Sequence, residues 1–292
     1  SINISDGNMK ARGGGIIGLD LIHDKFPYYA IRLTALTCDA MGANYLNTHI
    51  ESVGKIWNQI LPESLRKNYC AVMGILSNYT PQSLVEVSCT CPLEDFVPQG
   101  LEIRSDQFLK QMDHAYTIAH LFRERAVTHN KGILNGIDAV AMATGNDFRA
   151  IEACAHAYAS KSGNYRSLSW LKYDQKSVSL FLEIPLAVGT VGGITHVHPL
   201  AKTSLDLLGN PQAKELMMIL ASVGLAQNFA AVSSLVTTGI QKGHMKMHLY
   251  NLACQNKATE DELNYLTHYF SDKVVSAHSV KIKLEEIRNN AI

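Results

Sequence analysis

The stretch GGGIIG, Gly13 to Gly18, together with LDLIHDKFPYYAIRLTALT at 19–37, decides the fold. Its first six letters match the G-x-G-x-x-G dinucleotide fingerprint, and an acidic residue, Asp39, follows about 20 residues later as that fingerprint asks. A working fingerprint has an apolar strand before the glycines and a helix after them. Here SINISDGNMKAR, ahead of the glycines, is polar, and the stretch behind them is rich in aromatic and β-branched residues and broken by Pro27. That composition predicts two strands joined by a turn, with the glycines feeding a strand rather than a helix. A Rossmann sheet is therefore not expected. From Asp39 the period changes: apolar residues at 41, 45, 46, 50, 53, 56, 57, 60 and 61 follow helical spacing, with Asp39 as N-cap and Pro62 past the end.

Farther out, CAVMGILSN (70–78) and LVEVSCTCP (84–92) read as strands, so residues 1–80 predict a small α+β domain. Apolar spacing suits a helix over 102–128, then a short loop and an apolar segment at 133–143. A second helix opens at Asn146-Asp147, where the dipole favours a carboxylate, and stops before Gly163. A buried strand over 178–189 ends in the glycine-rich loop GTVGGITHVHP, followed by a capped helix at 200–208 and a long buried helix at 212–236. From Gly243 onward the pattern is of charged amphipathic helices with little core of their own.

The chain has 292 residues, enough to bury a substantial core without staples. Lysine plus arginine equals aspartate plus glutamate at 26 each, which disfavours nucleic acid or another polyanion as partner. Six scattered cysteines and no signal peptide fit reduced thiols in a cytoplasmic protein, and Cys89-Thr90-Cys91 has the wrong spacing for a C-x-x-C motif. The apolar run at 216–236 has the length of a membrane span, but Gln227-Asn228 near its middle argues for a buried helix and no membrane. The opening at Ser1, rather than methionine, leads us to expect that something upstream has been removed.

Three motifs carry chemistry. In DAMGAN (39–44) an acidic residue and Gly42 at a helix start let a cofactor's sugar or phosphate approach backbone N–H groups, although an ordinary capped helix has the same letters. THNKGILNGIDAV (128–140) sets Lys131 in apolar surroundings, where partial burial would suit it to oxyanion stabilisation, and Asp147 in GND could pair with it. A surface lysine and a simple N-cap fit equally well at this level. His244 and His248 in HMKMH share a helix face, and His196 and His198 sit in the glycine-rich loop. The H-E-x-x-H glutamate is missing, so a metal site is not expected, and a general acid or packing histidines remain.

RGGG (12–15), DAMGANYLNT (39–48), ILSN (75–78), RAVTHNKGILNGIDAVAMATGNDFRAIEACAHAYA (125–159), PLAVGTVGGITHVHPLA (185–201), GLAQN (224–228) and GHMKMH (243–248) together resemble the class II, bacterial-type 3-hydroxy-3-methylglutaryl-coenzyme A (HMG-CoA) reductases. The likeness runs over nearly the whole chain and in the family's order. It implies an α+β fold: a ferredoxin-like, NAD(P)-binding small domain at 1–80, and a helix-rich α/β domain at 81–240 for HMG-CoA binding and dimerisation. A C-terminal helical flap at 241–292 completes it. It implies a cytoplasmic homo-oligomer, dimer or higher, of isoprenoid metabolism. The implied reaction takes HMG-CoA to mevalonate and CoA with two hydrides through a mevaldyl-CoA hemithioacetal, or runs in reverse in degradative members. The cofactor is NAD or NADP, and Gly18 stands where an NAD-preferring member can carry an aspartate.

Carried over position by position, Lys131 matches the lysine that stabilises the oxyanion, Asp147 the aspartate bonded to it, and His244 the acid that protonates the departing thiolate. Arg125, Asn135, Gln227 and His248 match substrate contacts; Asp39, Met41, Gly42, Ala43, Asn44 and Asn78 match the cofactor lining. One departure is that the family's catalytic glutamate lies in a part of the substrate domain preceding RGGG, and no glutamate here occupies its motif. The expectation is a fragment whose N-terminal segment is a possible partner; the alternative is a chain that binds nucleotide or CoA without turnover.

Overall fold

The computed structural model describes residues 7–193, 195, 197–237, 239–271 and 273–290, with the side chains of 23, 24, 58, 240–247 and 290 outside that description. The chain runs α1 (Gly7–Ala11), β1 (Gly15–Lys25), β2 (Tyr28–Leu36), α2 (Ala43–Ile60), α3 (Glu63–Arg66), β3 (Leu84–Pro92), α4 (Ser105–Leu121), α5 (Arg123–Ala143) and α6 (Phe148–Ala159). It continues with β4 (Ser169–Tyr173), β5 (Ser177–Pro185), α7 (Pro199–Leu207), α8 (Ala213–Val236), α9 (Ile240–Gln255), α10 (Glu260–Tyr269) and α11 (Ala277–Asn290). Two compact units result, one of residues 1–96 and 116–228, the other of 97–115 and 229–292.

In the first unit the glycines do feed a strand. β1 and β2 form an antiparallel hairpin with Gly15 opposite Leu36, and the helix that a Rossmann turn requires after the glycines is absent. Gly14 is a glycine for a steric reason, since a Cβ there would lie 2.4 Å from the Leu36 carbonyl oxygen. Residues 70–78 depart from expectation: they form no strand. The apolar run reads as a buried strand, but among the described residues β1 and β2 pair only with each other. What holds the segment is α2 instead: Leu76 N–H donates to Asn47 Oδ1 at 3.1 Å, and Gly74 packs on Ile50.

The second sheet has the order β3-β5-β4, antiparallel throughout, and β5 alternates as a half-buried strand should, with Val178, Leu180, Leu182 and Ile184 inward. α6 packs on β5 and on α5, and Ile133, Leu134, Ile137 and Ile151 from the two helices are almost entirely buried. The expected helix over 102–128 is two helices. Phe122 takes an extended backbone, and α5 then runs unbroken from 123 to 143 through the expected loop. Gly136 and Gly224 sit in helix interiors because α5 and α8 approach closely: a Cβ on Gly136 would lie 3.0 Å from Gln227 Cβ, and one on Gly224 2.9 Å from Ile137. α8 is long and apolar enough to cross a membrane, yet Leu216, Leu220 and Ala221 are buried within the protein.

The second unit revises the reading of the C-terminal segment, because α9, α10 and α11 do share a core. Leu249, Leu252, Ala253, Leu266, Phe270, Val280 and Leu284 are buried together. Thr259 and Glu262 form a capping box at the start of α10, and Glu262 also holds Arg288 of α11 at 2.7 Å. Leu266→Ala is therefore expected to cost about 2–5 kcal/mol, measurable as a lower urea midpoint; a loss below about 0.5 kcal/mol would mean these helices are not packed as described.

Candidate functional site

Three of the motif segments converge in the first unit. Gly189 N–H donates to Asn146 Oδ1 at 2.8 Å, joining the glycine-rich loop to the GND turn. A Cβ on Gly189 would lie 2.4 Å from Met41 N, so the same loop lies flush against the DAMG backbone. Thr190 and Val191 N–H groups donate to the Asp39 carbonyl at 2.8 and 3.2 Å, and Asp39 Oδ1 accepts from Ala213 N at 3.0 Å. Asp39 is thus not the cap of α2; it caps the start of α8. A cavity of about 300 Å³ is bordered by Asp39, Thr190, Val191, Lys202 and Asp206.

The start of α2 follows from that diversion. The helix begins at Ala43 behind Gly42, whose φ of 86° is left-handed and whose added Cβ would lie 2.3 Å from Thr37 Cγ2. No side chain caps it. A helix N-terminus approached by glycine and left uncapped suits an anionic group, because its amides lack intrahelical partners and the dipole is positive there. Met41, Ala43 and Asn44 flank this point, whereas Asn78 lies in the irregular 70–78 segment and is exposed.

Helix α5 carries Arg125, Lys131 and Asn135. The positions 131, 135 and 138 recur at helical spacing on one face, while His129, Asn130, Ile133 and Leu134 are buried on another. Lys131 is exposed rather than partly buried, and among the described residues no ion pair joins it to Asp147. Asp147 accepts from Arg149 N and Ala150 N at 3.1 and 3.3 Å as the cap of α6, where the sequence placed it. Gln227 on α8 meets α5 beside Asn135, at Gly136. Arg125 is half-buried, and that burial holds its guanidinium below its ordinary pKa.

Sequence reasoning passed over two groups. Asp138 Oδ1 is shut off from solvent without a hydrogen-bond partner, and burial, then the Glu152 carboxylate on α6, push its carboxyl up to about 6 against the opposing pull of Lys131. His129 is buried, and desolvation, then Arg125, push it down to about 3, so the ring is neutral. Both lie in the HNKGILNGID motif; a charged residue inside an α5 pattern of buried neighbours was the available signal. His248 is exposed on α9 in the second unit. The side chain of His244, also on α9, and all of His196 lie outside the described residues. Among the described residues no group of three or more metal-ligating side chains occurs.

A family model described as hydroxymethylglutaryl-coenzyme A reductase matches residues 3–249. The chain is 41% identical over 253 residues to a 3-hydroxy-3-methylglutaryl-coenzyme A reductase of Archaeoglobus fulgidus, covering 86% of this chain and 55% of that protein. A probable reductase of the same name from Borreliella burgdorferi is 38% identical over 243 residues, covering 83% and 54%. The 3-hydroxy-3-methylglutaryl-coenzyme A reductase structure of Streptococcus pneumoniae matches with TM-score 0.71 and 38% identity over 96% of this chain and 66% of that one. A class II structure from the same organism, bound to NADPH in open conformations, matches with TM-score 0.71 and 40% identity over 79% and 61%. The chain spans about half the length of the curated relatives it matches.

Two outcomes follow from the geometry. Gly189→Ala should destabilise the first unit by about 1–3 kcal/mol through collision with Met41, read from thermal unfolding. Asp138 keeps its proton in the folded chain up to about pH 6 but ionises at its ordinary 3.8 when unfolded, so its stabilising contribution is complete below 3.8 and is lost as pH rises through 6. The stability of the wild type relative to Asp138→Asn should accordingly fall between about pH 4 and pH 7, and a pH-independent difference would contradict the placement of Asp138.

Proposed function

The chain belongs to the hydroxymethylglutaryl-coenzyme A reductase family, and on that premise we propose that it carries the reductase site for HMG-CoA and a nicotinamide cofactor. The observation that carries this reading is the convergence of Asn146, Gly189, Met41 and Asp39, which brings the GND turn of the proposed catalytic aspartate against the proposed cofactor loop. In this reading residues 1–80 form the dinucleotide-binding domain, of ferredoxin-like type, 81–240 the substrate and dimerisation domain, and 241–292 the flap. The protein acts as a cytoplasmic homo-oligomer in isoprenoid metabolism.

The residues present fit the cofactor. The start of α2 behind Gly42 has no side-chain cap, so its first-turn amides suit a pyrophosphate; Asp39, Met41, Ala43, Asn44 and Asn78 complete the lining. NADPH is present in a related class II structure, which supports NAD or NADP here. When bound, the cofactor supplies the two hydrides that reduce a thioester to an alcohol.

The protein's own residues handle charge and protons. Each reduction leaves negative charge on a substrate oxygen, and the Lys131 ammonium stabilises it. A preorganised donor of that kind is worth roughly 3–4 kcal/mol when solvent is excluded. Exposure of Lys131 in the single chain means that substrate, the flap or a partner subunit supplies that exclusion. Asp147, fixed by the first amides of α6 and not paired with Lys131 in the single chain, would hold the ammonium in register once substrate is bound. His244 gives a proton to the CoA thiolate, a task for an acid that is still protonated near neutral pH, which imidazole is. Arg125 and Asn135 on α5, with Gln227 on α8 beside Asn135, receive the carboxylate and hydroxyl end of the substrate, and His248 contacts substrate or CoA.

Lys131→Ala should lower HMG-CoA-dependent oxidation of NADH or NADPH by about 100- to 1,000-fold, the size of one lost oxyanion donor, with little change in cofactor affinity. Loss of the reduced-nicotinamide absorbance is the measurement. A protein that turns over at the wild-type rate without this amine contradicts the reading.

A further inference from the structure

The turn between α5 and α6 is fixed at both ends, and one side chain in it reaches the glycine-rich loop. α5 closes on Gly145 at a left-handed φ of 73°, with Gly145 N–H donating to the Met142 carbonyl at 3.2 Å and Asn146 N–H to the Ala141 carbonyl at 2.8 Å. The next residue, Asp147, already caps α6. The Asn146 backbone is thus held between two helix ends, and its side chain leaves from a fixed point.

Which amide atom meets which partner is fixed as well. Asn146 Oδ1 accepts from Gly189 N–H at 2.8 Å, and a backbone N–H can only donate. Nδ2 donates to Thr144 Oγ1 at 3.1 Å, and that buried hydroxyl turns its own proton to the Val140 and Ala141 carbonyls of α5, at 2.8 and 3.2 Å. Turning the amide over would set N–H against N–H at Gly189, so the assignment stands on the backbone alone. On its far side Gly189 has no room to yield: a Cβ there would lie 2.4 Å from Met41 N, and the Thr190 and Val191 amides that follow are bonded to the Asp39 carbonyl. A shift of Gly189 is therefore passed on to the backbone at 39–41 rather than absorbed.

We propose that Asn146 is a positioning residue for hydride transfer: through Gly189 it sets the separation between the α5–α6 turn, which contains Asp147, and the backbone of residues 39–44. The inference rests on the function proposed above, in which Asp147 helps to handle charge and residues 39–44 line the nicotinamide cofactor. In that reaction a hydride passes with its two electrons from the reduced nicotinamide to the thioester carbon, as the C=O π pair moves to oxygen. The accepting carbon is held from α5 and α6, and the donating carbon from residues 39–44. Misplacement of one against the other by about 1 Å costs up to ~100-fold in rate. Asn146 touches neither carbon. Its amide suits the task because it supplies both a donor and an acceptor and adds no charge beside Asp147.

The test has two readouts on the full chain. Without cofactor, Asn146→Ala should speed amide hydrogen exchange about tenfold at Gly189 and also at Thr190 and Val191, whose own acceptor on Asp39 is untouched. Asn146→Asp, which keeps an acceptor for Gly189 N–H, should restore the protection. Unchanged exchange at Thr190 and Val191 in the first variant, or no recovery in the second, overturns the inference. With HMG-CoA and NADPH deuterated at the transferred position, Asn146→Ala should lower kcat about 10- to 100-fold and leave the KM for HMG-CoA unchanged. Its isotope effect on kcat should be no smaller than that of the wild type, since the slowed step is the hydride transfer. A purely structural role predicts a lower thermal midpoint with wild-type kcat below it, and that result overturns the inference while the proposed function stands. A wild type with no HMG-CoA-dependent NADPH oxidation ends the proposed function and the inference together. Should Asn146→Ala not fold, Thr144→Val, which removes the hydroxyl that orients the amide, takes its place: a lower kcat with an undiminished isotope effect supports the role, and wild-type values overturn it.

Discussion

The site depends on the double use of Asp39. Its carbonyl receives Thr190 and Val191, and its carboxylate receives the first amide of α8, so one residue ties together segments about 150 to 174 positions apart in the chain. Closing loops of that length costs entropy that only a few well-made contacts offset locally, which is why the glycine-rich loop needs the close Gly189–Met41 approach as well. The same commitment leaves α2 without its nearest side-chain cap. The helix start that ordinary folding logic would satisfy internally thereby keeps its first amides without a side-chain cap.

The sequence exposed the local part of this fold and hid the rest. Composition alone identified β1 and β2, since Pro27 and the aromatic, β-branched run leave little else open, and the polar stretch ahead of Gly13 removed the Rossmann alternative. Asp147 as the cap of α6 was equally legible, because the cap and the amides it meets are neighbours. The start of α2 was misplaced by three residues because Asp39 looks like a cap and its true partner, Ala213, is distant. Around Phe122 no proline or glycine marks the break between α4 and α5, so periodicity ran through it. Residues 70–78 look like a strand by composition, but a strand needs a ladder partner, which composition does not supply. The core of α9 to α11 was invisible helix by helix, since each contributes only one to three buried residues.

The proposed chemistry was legible in a different sense. Likeness to a family placed Lys131, Asp147 and Arg125; physical reading of single motifs left a surface lysine and an ordinary cap equally open. The structure contributes what neither gave: Asn146 as the link to Gly189, and the buried partners of His129, all joined across 40 or more positions. Local spacing rules have no reach at that separation. Lys131 is exposed in the single chain, so the proposed oxyanion role requires water to be excluded by something other than α5 itself.

Amide hydrogen exchange at Thr190, Val191 and Ala213, compared between the wild type and Asp39→Ala, is the most direct test of the Asp39 clamp. The account predicts protection at all three in the wild type on a par with the amides of β5, and loss of that protection at Ala213 once the carboxylate is removed. Exchange of these amides in the wild type as fast as in an open loop, or an Ala213 amide indifferent to the loss of Asp39, would contradict it.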